Sequence, residues 1–287
     1  MQVAVEREPR RLNRNYAEVI GRAFVHFFCP VLFRDEEAEL PARHRNQQTK
    51  EIEMPSYRAN AIAVGVLFIA CSAAAILSIV PLGAPVGTPV DFAKLAANDN
   101  RVVLTALFEL VWAATGAGIA IGLYPVLRRH NRALALGAAA GRVVEGVLVL
   151  VGTLSLLVLL SLSQEAVAAG SAGSTSLVAS ANLLLAARDW VHGFVMSLAF
   201  ALGALMYYYV LYRARLIPRW LSGWGLVAIG LSVVATVYAG FTQDFGFTTV
   251  NNVLSIPIGL QEMVLAVWLI VKGFNRSALA SGAGSQG

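Results

Sequence analysis

NRVVLTALFELVWAATGAGIAIGLYPVLRRHN, residues 100–131, decides which solvent this chain folds in. Between Arg101 and Arg128 the one side chain of formal charge is Glu109. A helix needs roughly 20 apolar residues to cross a bilayer, and residues 103–127 exceed that length. Five more stretches approach or exceed it: 60–82, 143–163, 189–212, 220–240 and 252–271. Hydrophobic residues make up 57% of the chain and charged residues 14%, against about 25% charged in soluble domains. The sequence therefore predicts an all-α integral membrane protein, a six-transmembrane-helix bundle surrounded by lipid.

Charge sets the threading. Arg128, Arg129, Arg132, Arg142, Arg213, Arg215, Arg219, Lys272 and Arg276 fall at one set of junctions. The alternate junctions hold only Lys94, Arg101 and Arg188, beside Asp91, Asp99, Glu165, Asp189 and Asp244. Basic loops stay inside, so both termini are expected to be cytoplasmic and the location to be the cytoplasmic (inner) membrane. Trp220 and Trp224 near one boundary, and Trp190 near the other, suit an interfacial aromatic belt. A net charge of +5 would point to nucleic acid in a soluble protein. Here the cations gather in the N-terminal tail and at helix ends, where they orient the chain and meet lipid headgroups; no nucleic-acid partner is expected.

The first 57 residues are of another composition, holding nine of seventeen acidic and nine of twenty-two basic residues with no spanning segment. Residues 16–33 fit a short amphipathic helix on the membrane surface. Met54 stands just before Arg58 and the first span, and Lys50-Glu51 can be encoded as a ribosome-binding sequence. Translation from Met54 is therefore an alternative start, with residues 58–275 as the membrane domain. Within 164–187, the Gly170–Thr175 run reads as a flexible loop. Ser176–Ala187 reads as a short outer-surface helix before the fourth span. Residues 276–287 read as a disordered tail.

Several separated strings carry a resemblance. NRVVLTALFEL (100–110) and LYPVLRRHN (123–131) bracket the second span, and GRVVEGVLVL (141–150) opens the third. RLIPRWLSGWG (215–225) precedes the fifth, and LQEMVLAVWLIVKGFN (260–275) closes the sixth. In this order they resemble the bacterial membrane-protein family catalogued as domain of unknown function 4386, over roughly Arg58 to Asn275. The resemblance implies six spanning helices and implies no activity.

Chemistry must lie among the few polar groups inside the spans, because ionisable residues there are costly and mark function by default. Glu109 sits about 12 Å below the outer end of its helix at 1.5 Å per residue, with Thr105, Ala113 and Gly116 on its face. The Ala114, Gly118, Gly122 ridge points the other way, so the second helix should touch protein on two sides. Glu262 lies roughly 16 Å into the sixth helix, on a face with Asn251, Ser255, Gly259, Ala266 and Gly273. Pro257 frees a backbone carbonyl just above it. His192 shares a face with Arg188 and is the one histidine of four within a span, which excludes a bis-histidine haem within a single chain. Arg142 and Glu145, at i and i+3, read as an ion pair at the inner boundary.

Glu109 and Glu262 occupy similar depths by helix rise, and no lysine or arginine is placed by sequence at that depth. A shared cavity between them is the expectation. Asn98, Asp99, Asn100 and Arg101, with Arg188 and Asp189, form an outer polar cluster. HExxH, GxSxG and phosphate-loop patterns are missing from the sequence, and Cys29 and Cys71 make no metal spacing; no cofactor or metal is implied. Three readings remain open. The first is a small ion- or proton-coupled carrier using the intramembrane carboxylates, which would take a small-molecule or ion substrate. The second is a non-catalytic regulatory or structural component. The third is a lipid-modifying enzyme using His192 and Asp189.

Overall fold

The computed structural model describes residues 42–79, 90–171, 174–245 and 248–281, with side chains from Tyr57 onward. The chain divides into two units, 1–50 and 51–287. The expected surface helix 16–33, the close of the first span after residue 79 and residues 282–287 lie outside the described residues. The helices are α1 (Ala42–Ile79), α2 (Phe92–Ala96), α3 (Asp99–Leu127), α4 (Arg132–Ala168), α5 (Thr175–Trp190), α6 (Ser197–Arg213), α7 (Arg219–Thr242), α8 (Thr249–Val271) and α9 (Arg276–Ser281). A π-helical turn, Val191–Met196, joins α5 to α6. Six segments are long and apolar enough to cross a membrane: Tyr57–Ile79, Asp99–Leu127, Arg132–Ala168, Thr175–Arg213, Arg219–Thr242 and Thr249–Val271. Among the described residues there is no strand.

Local chemistry sets the helix limits. Asn131 is extended, and its side chain accepts from the Leu134 amide at 2.9 Å, satisfying an orphan donor of the first turn. That cap starts α4 at Arg132, well before residue 143, where the apolar run begins. Thr248 caps α8 in the same way through the Asn251 amide. At its other end α8 stops on Gly273, held at φ +72°, a left-handed geometry that costs glycine nothing. Arg58 of α1 then donates to the carbonyls of Leu269, Ile270 and Val271 at 3.2, 2.6 and 3.1 Å. A cation on the orphan carbonyls of a helix C-terminus is favourable both as hydrogen bonding and toward the helix dipole.

Two expectations are corrected. The short helix foreseen over Ser176–Ala187 is the start of one 39-residue helical segment, Thr175–Arg213. No glycine or proline occurs between Thr175 and His192 to stop it. Residues 276–281, foreseen as disordered, form α9, with Ala278 and Leu279 buried; the Ser277 amide donates to Asn275 Oδ1 and starts it.

The six spans close into a ring in chain order. Val64 and Leu67 of α1 pack on Gly122 and Gly118 of α3. The Ala113 carbonyl of α3 faces Gly146 of α4. Gly141 of α4 and Gly203 of α6 meet so closely that a Cβ on Gly141 would stand 2.7 Å from the Gly203 Cα. The Tyr208 ring of α6 fills the space over Gly225 of α7. Gln261 of α8 donates to the Leu221 carbonyl of α7 at 3.0 Å, and Gly65 of α1 meets Ala266 and Ile270 of α8. Small residues at helix contacts are what association in lipid requires, because apolar side chains gain nothing by leaving lipid tails. Both faces foreseen for α3 are in use, although Ala114 is exposed. Large apolar residues cover the outside of the ring: Leu154, Val227 and Val253 are each more than 60% exposed. This is the surface of an integral membrane protein in contact with lipid.

Candidate functional site

Glu109 of α3 is 1% exposed, yet it is not alone. Arg188 of α5 forms an ion pair with it: Nη2 pairs with Oε1, and Nη1 donates to Oε2 at 3.4 Å. The Thr153 hydroxyl of α4 lies 2.6 Å from Oε2 and 2.9 Å from the Val149 carbonyl, so its single proton serves one of them at a time. The expectation that no cation reaches the depth of Glu109 is therefore overturned. Arg188 was assigned to the outer junction by its backbone position. Because α5 runs on into the span, its side chain enters the bundle and the guanidinium descends to the carboxylate.

His192 follows one turn later, inside the π-helical turn. Its Nε2 lies 3.2 Å from the Val149 carbonyl, so an Nε2–H tautomer donates there and leaves Nδ1 as an acceptor. Gly152 of α4 provides the room, since a Cβ at that position would run into the imidazole. Trp112 of α3 meets the ring edge-on, with centroids 6.2 Å apart. A π-turn adds a residue to the helical turn and re-aims the side chains that follow, and such turns gather at functional sites. Gly193 lets Phe245 pack on the widened turn, and Gly240 of α7 receives the ring of Phe194 from within it.

Glu109, Arg188 and His192 line a cavity of about 460 Å³ together with Asn251, Asn252 and Ser255 of α8, Ser232 and Thr236 of α7, and the Trp112 and Phe245 rings. Its size is that of a small-molecule site. A carboxylate and a guanidinium already paired, an imidazole, amides and hydroxyls set in a mainly apolar wall make a formally neutral chamber with a few convergent polar groups.

Glu262 does not line this cavity. It belongs to a second cluster deeper in the ring. There Arg142, 2% exposed, pairs through Nη1 with Glu145 at 2.9 Å. Its Nη2 points at Cys71 Sγ at 3.8 Å, and its guanidinium lies 5.0 Å from the Phe200 ring centroid. Tyr207 donates to Glu262 Oε1 at 3.4 Å, and Glu262 feels the charges of Arg142 and Glu145. Tyr208 donates to Gln261, which continues the polar chain to α7. The expected i,i+3 pair of Arg142 and Glu145 is present, but at the centre of the ring rather than at a boundary. Starting α4 at Arg132 moves both residues about three turns inside. The shared Glu109–Glu262 cavity is corrected to two separate clusters.

The rest of the outer string stays local. Asn98 bonds the Lys94 carbonyl and Asp99 accepts from the Asn100 amide; Arg101 and Asp189 are exposed. None of the five, Asn98, Asp99, Asn100, Arg101 and Asp189, lines the cavity. Sequence reasoning missed Thr153, Trp112, Tyr208 and Gln261, and met Tyr207 only as a continuation of the Arg188–His192 face. Gln261, fully buried beside the emphasised Glu262, was the one whose position already carried a signal.

No curated protein and no solved structure matches this chain at a significant level. The family model described as domain of unknown function (DUF4386) matches residues 63–273, which takes in every side chain of both polar clusters, so the chain belongs to that family.

Proposed function

We propose that this protein is a small carrier of the cytoplasmic membrane, threaded with both termini inside, whose polar cavity takes a small zwitterionic solute. The observation that carries this reading is the Glu109–Arg188 pair lining the cavity beside His192, Asn251 and Ser255. A solute bearing a carboxylate and an ammonium group can exchange partners with the pair: its carboxylate onto Arg188, its ammonium onto Glu109. The protein then trades one buried ion pair for two, and no net charge enters the membrane interior, which keeps the desolvation cost low. Trp112 lines the cavity and also lies beside Glu145. Occupancy of the cavity is in this way linked to the Arg142 cluster, where Glu145 pairs with the guanidinium and Glu262, held by the Tyr207 hydroxyl, can exchange a coupling proton.

The test is a thermal-shift panel in neutral detergent with amino acids, betaines, simple carboxylates and simple amines. Zwitterions should raise the melting temperature of the wild type and leave Arg188→Gln unmoved. Equal shifts in both proteins would end this reading. The non-catalytic component remains the second reading, favoured by the fact that Glu109 and Glu145 each already have an arginine partner. Absence of any solute response, together with a stoichiometric co-purifying subunit, would select it. A lipid-modifying enzyme is not favoured, because exposed Asp189 does not join His192 in the cavity.

A further inference from the structure

At the end of the ring opposite the polar cavity, the α6–α7 turn and the α8–α9 turn are stapled together. Asn275 N donates to the Leu216 carbonyl at 2.8 Å and Asn275 Nδ2 to the Arg215 carbonyl at 3.2 Å. The staple holds Arg215 at φ +53°, a left-handed conformation that a non-glycine residue adopts at a cost of roughly 1 kcal/mol or more and that recurs at ligand clamps. Beneath it lies a cavity of about 650 Å³, into which Arg215, Arg219 and Lys272 face beside Trp268. A second cavity of about 210 Å³ adjoins it through Lys272 and adds Arg58 and Arg276.

Five cations line the two cavities, and among the described residues no carboxylate lines either. Arg58 is engaged with the α8 carbonyls, and Arg219 lies over the Tyr212 ring at 5.4 Å. Among the described residues no acid pairs with Arg215, Arg219 or Lys272. Like charges gathered in a preformed hollow repel one another, and an anion with several acceptor oxygens removes that penalty through charge-assisted hydrogen bonds. Orientation by the positive-inside tendency needs cations in loops. It does not need them converged on a clamped cavity.

We propose that this double cavity is a binding site for a phosphate group, supplied by the phosphodiester headgroup of an anionic lipid. The volume far exceeds an inorganic phosphate. Trp268, Leu216, Ile217 and Phe274 give an apolar wall for the glycerol and the first acyl carbons. Basic pockets between spanning helices favour such headgroups. The site stands whatever solute the other cavity takes.

Native mass spectrometry of the full chain in neutral detergent tests it, with phosphatidylglycerol, phosphatidylcholine or inorganic phosphate added in turn. One phosphatidylglycerol should bind saturably, phosphatidylcholine should not, and inorganic phosphate should fail to displace the lipid. Each basic side chain near a membrane surface contributes about fivefold in affinity. The triple variant Arg215→Gln, Arg219→Gln, Lys272→Gln should thus bind roughly 100-fold more weakly. A control triple at the same end, Arg128→Gln, Arg132→Gln, Arg213→Gln, should bind like the wild type, and equal melting temperatures exclude misfolding as the cause. Equal loss in the control would overturn the site. Displacement of the lipid by inorganic phosphate would overturn the lipid headgroup as its occupant.

Discussion

Removing Arg188 should strand a charge, and the structure sets how much that costs. Side-chain exposure is 2% for Glu109 and 13% for Arg188, so the pair is buried, with the arginine nearer to water. Deleting one partner of a buried pair typically costs about 3–5 kcal/mol. For Arg188→Gln the expectation is the lower end, about 3 kcal/mol, because Thr153 still lies 2.6 Å from Oε2. Glu109→Gln should cost about 1 kcal/mol: the amide oxygen still accepts from Arg188, and the long arginine stem can lift its head toward the cavity. With both glutamines no charge is buried, and the double variant should lose only about 2 kcal/mol. The cycle then yields a coupling near 2 kcal/mol, which is about 2 less than the sum of the singles. Reversible unfolding by dodecyl sulfate in mixed micelles measures all four proteins. Additivity within about 0.5 kcal/mol would mean the two side chains do not interact, and the cavity would lose its central pair.

Two further outcomes follow from the same geometry. Gly152→Ala should destabilise by about 1–3 kcal/mol through overpacking against His192, and adding His192→Ala should recover part of that loss; no recovery would show that the imidazole is not what fills the space. His130, in the α3–α4 turn, is held below its ordinary value of 6.5 by burial first and then by Arg129. The unfolded chain therefore takes up a proton before the folded one does. This contribution to stability is complete above pH 6.5 and is lost as pH falls through the folded value. His130→Gln should flatten the melting temperature across that window, and an unchanged slope would refute the assignment.

Membrane helices are legible where a single side chain or an unbroken run decides. All six spans could be counted because each apolar run ends in charge or turn residues. The two working faces of α3 were legible because small residues recur every four positions, and a close helix contact needs little else. Arg188 and His192 could be placed on one face by their four-residue spacing. Depth is a different matter, because it depends on where a helix starts and how far a side chain reaches. One asparagine cap at Asn131 lengthened α4 and carried Arg142 and Glu145 from an expected boundary to the centre. One arginine stem carried a cation from the junction to Glu109.

Equal depth also says nothing about direction around the ring. Glu109 on α3 turns toward α4 and α5, whereas Glu262 on α8 turns toward α6. Two carboxylates that rise alone would place at one level thus serve two environments, each organised by its own arginine. The physical consequence is that the two ion pairs are separate: one lines the cavity and the other is closed within the ring. Under the proposed carrier reading, a solute would break and remake the Glu109–Arg188 pair in the cavity while the Arg142–Glu145 pair, 2% and 4% exposed, stays intact in the ring's centre. Trp112 lies beside both, and through it a change at the first pair can reach the second.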